Sequence, residues 1–270
     1  MPFSRYVALG DSTTEGLDDP APGGDGFVGF ADRLAARLAR EHPGLLYANL
    51  AVRGRKAGQI RAEQLKPALA MEPDLATVVG GINDILRPRA DLRYVLAEIE
   101  AVISALRDAG ATVVGMTYPD PTHVMPVARP TRARVLAFNE GLREIAVRHG
   151  ALLIDVERDG IVDARLWSDD RLHASSVGHE RLAHAAAQAL GLEPDADPWA
   201  PLPPAESLRR AQAAAGHAIW TARHMAPWIL RRVRGRSSGD GMAAKRPELA
   251  RIEAVVASTA AVGGTRGTEP

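Results

Sequence analysis

No cysteine occurs among the 270 residues. Disulfides, cysteine-rich zinc sites and a thiol nucleophile are therefore excluded, and a reducing compartment, the cytosol, is the expected location. Lysine is scarce as well: apart from Lys56, Lys66 and Lys245 every basic residue is arginine. With so much alanine, this is the composition of a GC-rich genome rather than a functional signal. Net charge is absent, with 33 basic against 33 acidic residues. There is thus no global electrostatic footprint for nucleic acid, which is not an expected partner. No run approaches the roughly 18 apolar residues of a membrane span. The first six residues show no basic stretch leading into an apolar core, so no secretory signal is read.

What is present is the profile of a globular protein, 46% hydrophobic and 24% charged, long enough for a large core. Short apolar runs alternate with segments of helical period. Strands are expected at 6–10, 45–52, 75–80, 112–118 and 152–156. Helices are expected at 27–41, at 58–69 with an end near Pro67, and at 92–107, 131–149 and 175–190, the last capped by Ser175. Strands separated by helices of this length form βαβ units with right-handed crossovers. The expectation is an α/β fold: a three-layer α/β/α sandwich on a five-stranded parallel sheet in flavodoxin-like order, with its site at the carboxyl ends of the strands.

Composition changes after residue 192. The main globular unit is expected to span 1–192. Five prolines between 193 and 204 read as an extended linker, leading into a basic amphipathic helical arm that ends by 235, interrupted near Pro227. Residues 207–251 carry ten Lys or Arg and two acidic residues, about +8. The arm holds Trp220, Trp228, Ile229 and Leu230 beside several arginines. It is expected to pack on the core, with weak contact to a membrane surface as the alternative. Residues 236–270, small and polar, are expected to be a disordered tail.

Four positions, three just after predicted strands and one before the last helix, carry chemistry. Ser12 follows the first strand in a tight turn that begins at Gly10. Gly54 and Asn83 follow the second and third strands, and a backbone N–H or a side-chain amide is a suitable oxyanion donor. His173 lies three residues after Asp170, a spacing that lets the carboxylate hold one ring nitrogen while the other faces a nucleophile. A serine hydroxyl needs such a base, and histidine is the side chain whose ordinary pKa suits the task near neutrality.

The blocks Leu9-Gly10-Asp11-Ser12, Asn49-Leu50-Ala51-Val52-Arg53-Gly54, Gly81-Ile82-Asn83-Asp84 and Asp170-Arg171-Leu172-His173 occur in this order. Together they resemble the SGNH hydrolases, the GDSL-type esterases and lipases, over roughly two-thirds of the chain, 6–190. The resemblance implies Ser12 as nucleophile, His173 as base and Asp170 as its orienter. It also implies an oxyanion hole of the Ser12 N–H, the Gly54 N–H and the Asn83 side chain. Thr13 stands where leucine is common in that family. Asp11 is assigned a structural role in the loop, and Asp169 is the rival of Asp170.

The implied activity is cleavage of carboxylic esters, short-acyl or lipid-like, through an acyl-enzyme. Acyl transfer, thioester cleavage or a lipid-surface module with an inactive core are the alternatives. The expected partner is a small-molecule ester. No cofactor and no metal are expected: the Gly24–Gly29 stretch matches a dinucleotide fingerprint but follows a proline-rich loop, not a strand. The pairs His179/His184 and His217/His224 lack zinc spacing, and His123 reads as a loop residue near the cleft.

Overall fold

The computed structural model describes residues 3–23, 26–123, 126–159, 163–204 and 238–252. In chain order the elements are β1 (Arg5–Gly10), α1 (Ser12–Glu15), α2 (Gly29–Glu41), β2 (Leu46–Asn49), α3 (Ala57–Ile60), a π turn (Arg61–Leu65) and α4 (Lys66–Ala70). They continue with β3 (Leu75–Val79), α5 (Ile82–Ile85), α6 (Leu92–Asp108), β4 (Thr112–Met116), α7 (Arg132–His149), β5 (Leu152–Ile154), α8 (Val156–Asp159), α9 (Ser176–Ala189) and β6 (Arg246–Arg251). The sheet order is β5-β4-β3-β1-β2-β6. The first five strands are parallel neighbours in the flavodoxin-like order.

The interior strands are apolar on both faces because both faces are covered. Every residue of β3 is buried, as are Tyr6–Leu9 of β1. The helices supply the covering layers: α2 packs on α9, and α6 packs on α7 and α3. Two fully buried tyrosines cross-link the strands. Tyr6 and Tyr47 stack with ring centroids 4.9 Å apart. Their hydroxyls find partners in Thr77 Oγ1 at 2.9 Å and Asp32 Oδ1 at 2.8 Å. A buried phenol without a partner would cost on the order of 1–3 kcal/mol.

Three sequence expectations are corrected. The sheet has six strands, not five, and the sixth is antiparallel to β2. The 236–270 tail is therefore not wholly without order: 246–251 lie along the β2 edge, and Ile252 is buried. The run Arg-Pro-Glu-Leu-Ala-Arg has no strand pattern of its own. It pairs because β2 presents an open edge of backbone donors and acceptors, and an edge strand tolerates a proline. Finally, the helix expected to stop near Pro67 runs on to Ala70. Pro67 cannot donate to a carbonyl one turn back and crowds it; the wider π turn just before it gives the ring room.

The proline-rich stretch 193–204 is pinned rather than free-standing. Asp195 pairs with Arg37 and Arg40 of α2, Arg181 of α9 donates to the Pro198 and Ala200 carbonyls, and the Trp199 indole donates to Gln188 at 3.0 Å. The basic arm, with Leu208, Ile219, Trp220, Ala222, His217 and His224, lies outside the described residues. Among the described residues, no helix is long and apolar enough to cross a membrane.

Candidate active site

The site begins with the last residue of β1. Gly10 has φ +157°, and a Cβ there would meet the Val79 carbonyl at 2.2 Å, so only glycine lets β1 lie against β3 and still turn. Both backbone groups of Gly10 are held by Gln64: its N–H donates to Oε1 at 2.8 Å, and its carbonyl accepts from Nε2 at 2.8 Å. Gln64 is buried and sits in the π turn, so the irregular helix delivers an amide to the strand end. Sequence reasoning missed this residue; a glutamine in an amphipathic helix carries no signal of its own.

Asp11 caps α1, accepting from the Thr13 N–H at 3.2 Å, and Ser12 is the first residue of that short helix. His173 arrives from the loop before α9, whose start is fixed by Ser175 accepting from the Gly178 N–H at 3.2 Å. The structure brings these ends together. His173 Nε2 lies 2.9 Å from Ser12 Oγ, and His173 Nδ1 lies 2.6 Å from Asp170 Oδ2. The other Asp170 oxygen accepts from the Leu172 N–H at 2.8 Å, the His173 N–H at 2.9 Å and the Ser168 hydroxyl at 2.7 Å.

That donor set decides the proton positions. Burial pushes the Asp170 carboxyl up, but the imidazole and the two backbone N–H groups outweigh it and hold the group well below the usual carboxylate range. An ionised carboxylate only accepts, so Nδ1 carries the proton and Nε2 accepts from the Ser12 hydroxyl when the ring is neutral. For His173, burial disfavours the imidazolium, yet Asp170, with Asp18 and Asp11 behind it, raises the pKa above 6.5. The carboxylate facing the ring is that of Asp170; Asp169 is exposed.

Gly54 stands in the loop after β2 and Asn83 in the short helix after β3. Gly54 has φ +74°, and Asn83 lies in α5, at the carboxyl end of β3. The Asn83 amide donates to Asp11 Oδ2 at 3.0 Å and to the Arg55 carbonyl at 3.2 Å. Asp11 thus links the serine turn to the Asn83 amide. It is fully buried, and burial raises its pKa to about 6 against the pull of the Thr13 N–H, His173 and Asn83. The loop bearing Gly54 is tied back to α1: the Arg53 N–H donates to Glu15 Oε2 at 2.7 Å, its guanidinium pairs with the same carboxylate, and the guanidinium sits 5.0 Å above the Phe27 ring.

Asp18 and Ser168 meet the triad-like chain. Asp18, at φ +69°, shares Ser168 Oγ with Asp170 at 2.7 Å and places Oδ2 3.8 Å from His173 Nδ1. Asp18, Asp170 and His173 have ligand atoms within 4.8 Å of one another. Both ring nitrogens of His173 are already engaged by Ser12 and Asp170, so a metal there would have to break the chain. His179 is buried: Nδ1 accepts from the Phe30 N–H at 3.2 Å, Nε2 donates to the Leu17 carbonyl at 3.2 Å, and burial lowers its pKa to about 4. It is a neutral strut between α2, α9 and the turn after α1, neither solvated nor a ligand. His123 is exposed in the loop after β4. Gly24 and Asp25 of the glycine-rich stretch lie outside the described residues.

Beside the chain is a recess of about 50 Å³ lined by Thr13, Tyr118, Trp167, Leu172 and Ala174, among others. Thr13 follows Ser12, and Leu172 and Ala174 flank His173.

A doubly wound α/β sheet with this constellation at its carboxyl edge is the architecture of the SGNH hydrolases. The model of the GDSL-like Lipase/Acylhydrolase family matches residues 8–181, and the chain belongs to that family. It is a carboxylic ester hydrolase. Among curated proteins it is 25% identical over 211 residues to an acetylxylan esterase of Geobacillus stearothermophilus, covering 70% of this chain and 94% of the relative. The solved structure of that organism's acetylxylan esterase Axe2 superposes with a TM-score of 0.61 at 19% identity, over 72% of this chain and 98% of the other. LAE5, an α/β hydrolase from the metagenome of Lake Arreo, Spain, superposes with a TM-score of 0.59 at 22% identity, over 70% and 95%.

Proposed function

We propose that the chain hydrolyses short-acyl carboxylic esters, acetyl esters foremost, with Ser12 as nucleophile. The observation that carries the reading is the unbroken hydrogen-bonded chain from Asp170 through His173 to Ser12. His173 takes the hydroxyl proton as Ser12 Oγ attacks the ester carbon, and the tetrahedral oxyanion is met by the Ser12 N–H, the Gly54 N–H and the Asn83 amide, one N–H of which turns to it from the Arg55 carbonyl. The imidazolium, stabilised by Asp170, then protonates the leaving alcohol. Water repeats the sequence on the acyl-enzyme. The restriction to short acyl groups is supported by the acetyl ester in the name of the curated relative.

The test is a panel of p-nitrophenyl esters together with Ser12→Ala. Acetyl and propionyl esters are expected to turn over fastest. Ser12→Ala is expected to lose at least about 10³-fold in kcat with the fold retained, and a fluorophosphonate is expected to label Ser12 in the wild type. Turnover in Ser12→Ala near the wild-type rate, or a profile rising steadily to long chains, would overturn the reading.

A further inference from the structure

The segment 238–252 lies beyond the 8–181 stretch matched by the family, yet it presses on the site from behind. Gly239 is the point of contact: a Cβ added there would stand 2.0 Å from the Arg53 carbonyl oxygen and 3.0 Å from a Val52 methyl. Its backbone therefore sits directly against Arg53 O. The Arg53 carbonyl and the Gly54 N–H belong to one planar peptide unit, so whatever seats the carbonyl also aims the N–H. On its other side this loop is held by Glu15 of α1, which accepts from the Arg53 N–H. Arg53 is thus held at its N–H by the helix that begins at Ser12 and abutted at its carbonyl by a segment roughly 190 residues later in the chain.

Lys245 anchors that segment. It is largely buried, its ammonium donates to the Val28 carbonyl and lies 3.1 Å from Asp32 Oδ2, with Arg246 at 3.4 Å from the same oxygen. The other Asp32 oxygen accepts from the Tyr47 hydroxyl at 2.8 Å. Tyr47 in turn accepts from Asn49 Nδ2 at 3.0 Å, and that amide also donates to the Thr14 carbonyl at 2.9 Å. A buried polar chain thus runs from β6 to the turn that holds Ser12. Satisfied networks of this kind rigidify what they connect.

We propose that the C-terminal segment is a positioning element for catalysis: Gly239 seats the Arg53–Gly54 peptide that supplies an oxyanion donor, and Lys245 holds the segment in place while bracing the serine turn through Asp32, Tyr47 and Asn49. The proposal rests on the assignment of Gly54 and Ser12 above. Gly239→Ala and Lys245→Met test it in the full chain, from opposite ends of the segment and by different physics, one steric and one electrostatic. Active sites are counted by fluorophosphonate labelling carried to completion, and kcat is expressed per labelled site. Gly239→Ala is expected to lower kcat per site about tenfold or more with KM within about twofold, the split of a group needed in the transition state. Lys245→Met is expected to lower it about threefold in the same sense. Unchanged kcat per site in both variants, with only melting temperature or labelled fraction reduced, would show a purely structural tail and overturn the proposal. Ser12→Ala separates the two levels: if it stays active, the underlying assignment fails; if it is dead while Gly239→Ala is fully active per site, only the positioning role fails.

Discussion

Two aspartates stand within one turn of Ser12 or His173 and behave in opposite ways. Asp170, on the loop before α9, accepts from an imidazole and two backbone N–H groups and shares the Ser168 hydroxyl with Asp18, and stays ionised. Asp11, on the turn after β1, accepts from the Thr13 N–H and the Asn83 amide, and burial drives its pKa up to about 6. Burial opposes the charge at both. The difference is made by the number of donors and by the direct partner that becomes a cation at Asp170. One carboxylate holds an imidazole; the other holds an amide and a turn.

The largest effect expected from breaking this contrast is at Asp170. Asp170→Asn removes the charge and allows the wrong imidazole tautomer, with an expected loss of about 10²–10⁴ in kcat. It also removes the main cause of the raised His173 pKa. The wild-type acid limb of kcat/KM is expected above pH 6.5, because the base form must be unprotonated, and in Asp170→Asn the residual activity is expected to keep its limb at lower pH. A pH–rate series on both proteins checks the loss and the shift together.

Asn83→Ala strikes the group that Asp11 holds. Loss of one oxyanion donor lowers kcat on the order of 10²–10³ with little change in KM. Steady-state kinetics with an acetyl ester separates this from a binding defect, which would raise KM alone.

Asp11→Asn keeps the shape and removes the titration. Activity is expected to fall by about tenfold, because the amide of Asn83 loses a charged acceptor. Stability gives the sharper reading. A folded pKa of about 6 against an ordinary 3.8 means the wild type loses stability as pH rises between those values and does not regain it above them. Two units correspond to an upper bound of about 3 kcal/mol. The difference in melting temperature, variant minus wild type, is therefore expected to be more positive at pH 7 than at pH 4. A difference that does not change with pH would contradict the raised pKa.

The smallest effect is expected at Asp18, which reaches His173 only at 3.8 Å and through Ser168. Asp18→Asn is expected to cost about two- to fivefold in kcat/KM, as a secondary charge near the ring. A double variant with Asp170→Asn measures whether Asp18 supports the imidazole once its main partner is gone.

Much of the frame was legible in the residues. The apolar runs of β1, β3 and β4 mark strands covered on both faces, and the intervening helical periods imply parallel neighbours with a shared carboxyl edge. Four short blocks at those ends point to ester chemistry. Local spacing also makes Asp170 the partner of His173, because three residues of chain can close that hydrogen bond without help from the rest of the fold.

What tertiary structure alone decided involves groups far apart in sequence. Gln64 grips Gly10 only because a π turn rotates it inward ahead of Pro67. Asp18 meets Ser168 across 150 residues. Arg-Pro-Glu-Leu-Ala-Arg, polar and without alternation, becomes a strand because β2 leaves its edge unpaired, and Asp32, buried beside Tyr47, draws in Lys245 and Arg246. Periodicity reports which face of an element is covered. It does not report which distant segment supplies the cover, because that choice is made by open backbone edges and buried charges that meet only once the chain has folded.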